Sequence, residues 1–309
     1  MRLVRHPDAA AFAAVALPYL AVDPARHTIT LTMLDGLLRS DAPPALAMTL
    51  HEDDVLVGAV LRPADRGILV SGLPPRYAGV VAAALAGTQL PGAVGPVAEA
   101  EAFAEAWQAP VQHRFDQRLF VLGTLTPPVG VPGAARPATA ADAALLGAWR
   151  AAFTAETGVG QTGSRPPPEV AVGQTGSHPP PEVAVGQTGS HPPPEVAVGQ
   201  TGSHPPPEVA VGPGEWLWQV DGVPVAQASA RPVIAGMSRI GPVYTPPEHR
   251  RHGYGAAVTA AASRWALDVG ARLVVLFTDA GNPSTNALYP RLGYRYRHDA
   301  VMLEFARPD

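Results

Sequence analysis

The chain has 309 residues, enough for two domains of ordinary size, and 47% of them are hydrophobic, much of that alanine. A formal charge of -4 leaves no basic field for a nucleic acid or an acidic membrane, and no apolar run reaches membrane-spanning length. There is no cysteine, which excludes disulfides, thiolate zinc sites and a cysteine nucleophile.

At the start, Arg2 and Arg5 precede the apolar stretch 9–20, an outline shared with signal peptides. Pro7-Asp8 reads instead as a helix start, Pro18 interrupts the run, and no small-x-small cleavage site follows, so the expectation is the first helix of a cytoplasmic protein. A second helix is predicted within 23–39 around Ile29, Met33 and Leu37. Strands are predicted over 46–51 and 55–61, around the turn Glu52-Asp53-Asp54, and over Ile68–Gly72. Helices over 77–86 and 98–107 and a closing strand over 117–122 complete a first unit of about 130 residues. The proline-rich stretch 126–133 is the expected linker.

The second unit, 131–309, opens with a strand near Ala135. A helix follows, with Thr139 as its N-cap, Asp142 three residues on, and Leu145, Trp149 and Phe153 as the buried stripe up to a stop at Gly158. From 159 to 210 the thirteen-residue unit Val-Gly-Gln-Thr-Gly-Ser-His-Pro-Pro-Pro-Glu-Val-Ala occurs four times, with Arg165 in the first copy where the others carry His178, His191 and His204. Triple proline forbids helix and sheet, and no copy has an apolar face large enough to stack, so a disordered insertion is the expectation. Growth of a loop from 13 to 52 residues costs only about 1.2 kcal/mol of closure entropy. Histidines thirteen apart on such a chain make no preformed metal site, and no metal ligand is assigned.

Beyond the insertion the stretch 237–255 runs from an apolar strand through Pro246-Pro247 into a basic loop with Gly253 and Gly255. A helix then opens, with Tyr254, Val258, Ala261, Trp265 and Val269 on one face and Gly270 as its C′ residue. A helix N-terminus with unpaired N–H groups favours an anion, so these residues alone fit either a phosphate loop or an ordinary tight turn. The unbroken apolar run 273–277 reads as a buried strand. Asn282-Pro283 starts a short helix in which Asn282, Thr285 and Tyr289 share a face, and Tyr294–Phe305 reads as a final strand or strand pair.

Two motifs in that order, Arg250-x-x-Gly253-x-Gly255 and Asn282-x-x-Thr285-x-x-Leu288-Tyr289-x-x-x-Gly293-Tyr294, resemble the signatures of the GNAT superfamily of acetyl-CoA-dependent N-acetyltransferases. The resemblance is strongest from residue 215 to 305. It implies an α/β fold with a mixed sheet. The segment 46–63 resembles 217–232, and both halves reach a strand, a Pro-Pro and a helix. The first half, with Arg76-Tyr77-Ala78-Gly79 in place of the basic glycine loop, therefore reads as a degenerate GNAT-like copy. The whole is a tandem arrangement with the proline-rich repeat inserted in the second domain.

What the resemblance implies for function is direct transfer of an acetyl group from acetyl-CoA, as co-substrate, to a small-molecule amine or a peptide N-terminus. By the same likeness, backbone N–H groups from Arg251 through His252, Gly253 and Tyr254 to Gly255 cradle the pyrophosphate, with Arg250 beside them. The N–H of Val243 polarises the thioester carbonyl, and Tyr289 serves as general acid or as core packing. Asn282 touches the cofactor or merely caps its helix. Glu248, Glu215 and water are rival bases. A non-catalytic acyl-CoA-binding protein, its acceptor site altered by the repeat, is the alternative reading. The sequence leaves monomer and homodimer equally open.

Overall fold

The computed structural model describes residues 1–306 apart from 41, 65 and 159–210, so the repeat lies outside the described residues. In chain order the first half holds β1 (Arg2–Arg5), α1 (Ala9–Leu20), α2 (Thr28–Ser40), β2 (Leu46–Glu52), β3 (Val55–Arg62), β4 (Ile68–Gly72), α3 (Ala78–Ala84), β5 (Gly92–Pro96), α4 (Val97–Trp107) and β6 (Val111–Leu122). The second holds β7 (Ala134–Pro137), α5 (Ala143–Thr157), β8 (Glu215–Val220), β9 (Val223–Ala230), β10 (Met237–Tyr244), α6 (Tyr254–Asp268), β11 (Leu273–Asp279), α7 (Pro283–Arg291) and β12 (Tyr294–Phe305).

Local chemistry explains most of these boundaries. The Asp8 carboxylate accepts from Ala11 N–H at 2.7 Å and starts α1. Thr139 and Asp142 form a reciprocal capping box ahead of α5, and Gly158 ends that helix in the left-handed region at φ 70°. Asp53 and Asp54 turn the β2–β3 hairpin with positive φ, as Asp221 and Gly222 turn β8–β9. Two strands escaped the sequence reading. At Arg2–Arg5 and at Gly92–Pro96 the strands are too short and too poor in β-branched residues to show a period. The expected stripe of α6 is also corrected. Val258 is fully buried, but Val269 is 48% exposed, and the packed face is a broad band of Ala256, Ala257, Ala260, Ala262 and Ala266. Alanine allows close approach over more than one stripe, so large apolar residues alone misplace the face. In α5 the buried positions are Leu146 and Gly147, while Leu145, Trp149 and Phe153 stay half-buried.

The twelve strands of the described residues form one sheet in the order β1-β2-β3-β4-β5-β12-β6-β11-β10-β9-β8-β7. The long closing strand of each half sits next to the other half's fifth strand: β12 pairs with β5, and β6 pairs with β11. The two closing strands lie antiparallel to each other at the centre. From β5 onward, adding 183 to a first-half number gives its counterpart, so the ends of β6 become the ends of β12. The same shift turns the Ala93–Leu303 pair into the Leu276–Phe120 pair. The sheet is therefore a pseudo-two-fold structure with exchanged closing strands. One cluster lies under α3 and α4 and includes Val301 and Leu303 of β12; a second lies under α6 and α7 and includes Phe120 of β6. A third, under α1 and α2, reaches Met237 and Val275 of the second half. No helix among the described residues is long and apolar enough to cross a membrane.

Candidate acyl-CoA site

Strand β10 is bonded to β11 only from Met237–Leu273 to Ile240–Leu276. Its pairing with β9 shifts register between Ile240 and Val243. Beyond Leu276, Phe277 to Asp279 pair with β6 alone. The two parallel strands thus part half-way, leaving Val243 on one side of an opening whose walls carry main-chain polar groups. The opening points toward the turn that follows β10.

That turn is a single 3-10 turn over Pro247–His249, after which Arg251 (φ 66°) and Gly253 (φ 84°) both take left-handed backbone. Gly253 is the N-cap of α6, and no side chain among the described residues caps the helix. Its first N–H groups, at Tyr254 and Gly255, accordingly stay available with the positive end of the dipole. A Cβ on Gly253 would lie 3.1 Å from Val131, and one on Gly255 would lie 3.2 Å from the Thr245 hydroxyl, so both positions are cradled closely. The His252 ring stacks on Tyr254 at 5.4 Å. These features fit a pyrophosphate held by backbone N–H groups.

Arg250 is differently engaged. Its Nη2 donates to Glu156 at 2.6 Å and its Nε to the Thr245 carbonyl at 2.9 Å, while Tyr244 donates to the other Glu156 oxygen at 2.9 Å. Glu156, near the end of α5, is thus part of the loop's surroundings. Ninety-four residues separate it from Arg250, and no local pattern marks it in the sequence.

Tyr289 is buried between Phe120 at 6.4 Å and Tyr294 at 5.9 Å. Burial pushes its phenol up to about 12, partly offset by a hydrogen bond with Thr259, one turn after Gly255. The hydroxyl is therefore protonated at neutral pH. Phe120 comes from the first half by way of the exchanged strand, a contribution that needs the sheet order to be seen. Asn282 caps α7 by accepting from Ser284 N–H at 3.1 Å and Thr285 N–H at 3.2 Å. Glu248 is exposed and makes no ion pair or hydrogen bond among the described residues. Glu215 is buried, and both of its carboxylate oxygens are engaged, one by Arg150 and the other by the Ser229 hydroxyl.

Residues 190–294 match the model of the acetyltransferase (GNAT) family. The second half carries a GNAT domain. Among solved structures, an acetyltransferase of the GNAT family from Colwellia psychrerythraea superposes with a TM-score of 0.55 at 10% identity, covering 99% of this chain and 100% of its own. A GCN5-related N-acetyltransferase from Kribbella flavida gives 0.53 at 20% identity, covering 92% and 96%. A tandem GNAT protein from the clavulanic acid biosynthesis pathway gives 0.51 at 14% identity over the full length of both chains. At such identities the likeness is one of fold, and that fold is the doubled GNAT arrangement. No curated protein matches the chain. The GNAT domain's family is one of acetyltransferases, which makes acyl transfer the coarse assignment.

Proposed function

We propose that the protein is an N-acetyltransferase that uses acetyl-CoA to acetylate the primary amine of a small molecule or a peptide N-terminus. The observation that carries this reading is the parting of β10 and β11 in front of an uncapped, glycine-cradled helix start, within a GNAT-family segment. We read residues 1–130 as a degenerate supporting copy and 131–309 as the catalytic domain.

Acetyl-CoA supplies an activated thioester. The N–H groups of Arg251, His252, Gly253, Tyr254 and Gly255 hold its pyrophosphate, and Arg251, exposed and without an ion pair among the described residues, supplies an uncommitted charge in the same loop. Arg250 reaches a phosphate only by leaving Glu156. The N–H of Val243 orients the acyl carbonyl. Tyr289, held protonated by burial, gives its proton to the departing sulfur. Asn282 fixes the start of α7 and so the position of Tyr289. Glu248 takes the proton of the amine, directly or through water, since an amine with a pKa near ~10 is mostly ammonium at neutral pH.

Calorimetric titration of the full chain with acetyl-CoA, followed by turnover on a panel of amines, tests the reading. One saturable site is expected in the wild type and none in Gly253→Glu. Tyr289→Phe is expected to bind normally while losing about a hundredfold or more in kcat. Absence of wild-type binding, or full turnover in Tyr289→Phe at every pH, would overturn it.

A further inference from the structure

Hydrogen-bonded to one another at the start of β10 are two residues that electrostatics alone would keep apart. Ala230 of β9 faces Ile240 of β10, and Arg231 N–H donates to the Arg239 carbonyl at 2.9 Å, so Arg231 and Arg239 stand directly opposite across the ladder. Like charges in that position are destabilising. Both point away from the cluster that holds Ala230 and Ile240, toward the α2 side of the sheet. The Nε of each is shut off from solvent without an acceptor, and neither guanidinium has a hydrogen-bond or ion-pair partner among the described residues. The nearby carboxylates are already committed: Glu215 to Arg150 and Ser229, and Asp35 to Arg39.

Arg231 forms one wall of a cavity of about 460 Å³ between the two halves. Thr32, Asp35 and Arg39 of α2 line it from the first half, together with Arg66 of the β3–β4 connection. Burial first, then the charges of Arg231 and Arg66, lower the Arg239 guanidinium to about 9. Two uncommitted guanidinium groups, Arg231 and Arg66, thus line a space that a small molecule can enter, with the Arg239 charge set behind Arg231 across the ladder. A buried cation without a counter-charge costs several kcal/mol, and a planar guanidinium matches the two oxygens of a carboxylate or phosphate.

We propose that this cavity binds a small molecule bearing a carboxylate or phosphate group, gripped by Arg231 and Arg66, with the neighbouring Arg239 charge adding to the attraction. The site lies at the opposite end of β10 from the glycine loop and does not depend on acetyl transfer. Its counter-charge completes an interface that α2 makes with β10, where Thr28 already donates to the Met237 sulfur at 3.3 Å.

Thermal unfolding and calorimetry of the full chain with succinate and with inorganic phosphate, against chloride at equal ionic strength, test the proposal. A saturable rise in midpoint with either anion is expected in the wild type. Its size for succinate against phosphate tells which group the site takes. Arg231→Gln and Arg66→Gln are each expected to weaken the apparent affinity at least about tenfold, the loss of a charged hydrogen bond. Should Arg231→Gln fail to fold, Arg66→Gln, at an exposed position of the cavity wall, carries the comparison. Because the glycine loop also attracts phosphate, the response must persist in Gly253→Glu. No anion-specific effect in the wild type, unchanged affinity in the arginine variants, or a response lost in Gly253→Glu would overturn the assignment.

Discussion

His27 is 7% exposed, with Nδ1 3.2 Å from the Ser71 hydroxyl and its ring stacked on Tyr19. Burial lowers its pKa to about 4, although Asp23 pulls the other way and Arg26 and His298 add to the lowering. Its unfolded value is near ~6.5, so between those two values the unfolded chain takes a proton that the folded chain refuses. Stability is complete above about pH 6.5 and declines on acidification toward pH 4, by a total of roughly 3 kcal/mol. His298, also lowered by burial, acts in the same direction. Asp142 does not share this window, because Arg136 holds its carboxyl well below the usual range and its contribution is lost only in stronger acid. Unfolding midpoints from pH 7 to 4.5 are expected to fall more steeply in the wild type than in His27→Gln; parallel curves would assign the slope elsewhere. None of this is visible in the sequence, where His27 is one polar residue beside a helix start. The opposed pair Arg231 and Arg239 is no more legible, because the seven residues between them leave several antiparallel registers open and the fold selects one.

Among the elements, α5 has two roles. Its start is fixed by the Thr139–Asp142 box, with Arg136 gripping Asp142 at 2.7 Å, and its end delivers Glu156 to Arg250 and Tyr244. Both partners of the Glu156–Arg250 pair are about two-fifths exposed, so the bond is worth no more than about 1 kcal/mol. Glu156→Gln releases Arg250 toward the loop and is expected to tighten acetyl-CoA binding by up to about fivefold, an effect that salt removes. Weaker binding in that variant would make Glu156 a support of the loop rather than a competitor. The elements with strong local signals were legible: the hairpin turns with their acidic tips, the capping box, Pro246-Pro247 and the glycine loop, and the Asn282-Pro283 helix start. The short strands, the alanine face of α6 and the contacts of Arg250 were not, because each is decided by what packs against it from far along the chain.

At the scale of the whole molecule, the doubled architecture was legible in the likeness of 46–63 to 217–232, but the exchange of closing strands was not. The patterns of β6 and β12 suit a strand between any two neighbours. A cut in the linker at 130 therefore divides the chain without dividing the sheet: the second piece loses β6 from between β11 and β12, and the first loses β12 from beside β5. Each piece made alone is expected to be insoluble or unfolded by circular dichroism, and the two made together to purify as one complex; an independently folded second piece would show the exchange to be dispensable. The exchange also sets an order of events during synthesis. Pro96 finds its neighbour in Ala300, roughly two hundred residues later, and Leu303 has to reach Ala93 across the entire second half. Until then the inner edge of β5 has no partner from its own half, and pairings so distant in sequence close slowly. A ribosome that has finished the first half has not yet made what completes it, so for this stretch of time the nascent chain carries an open edge on which another chain can pair.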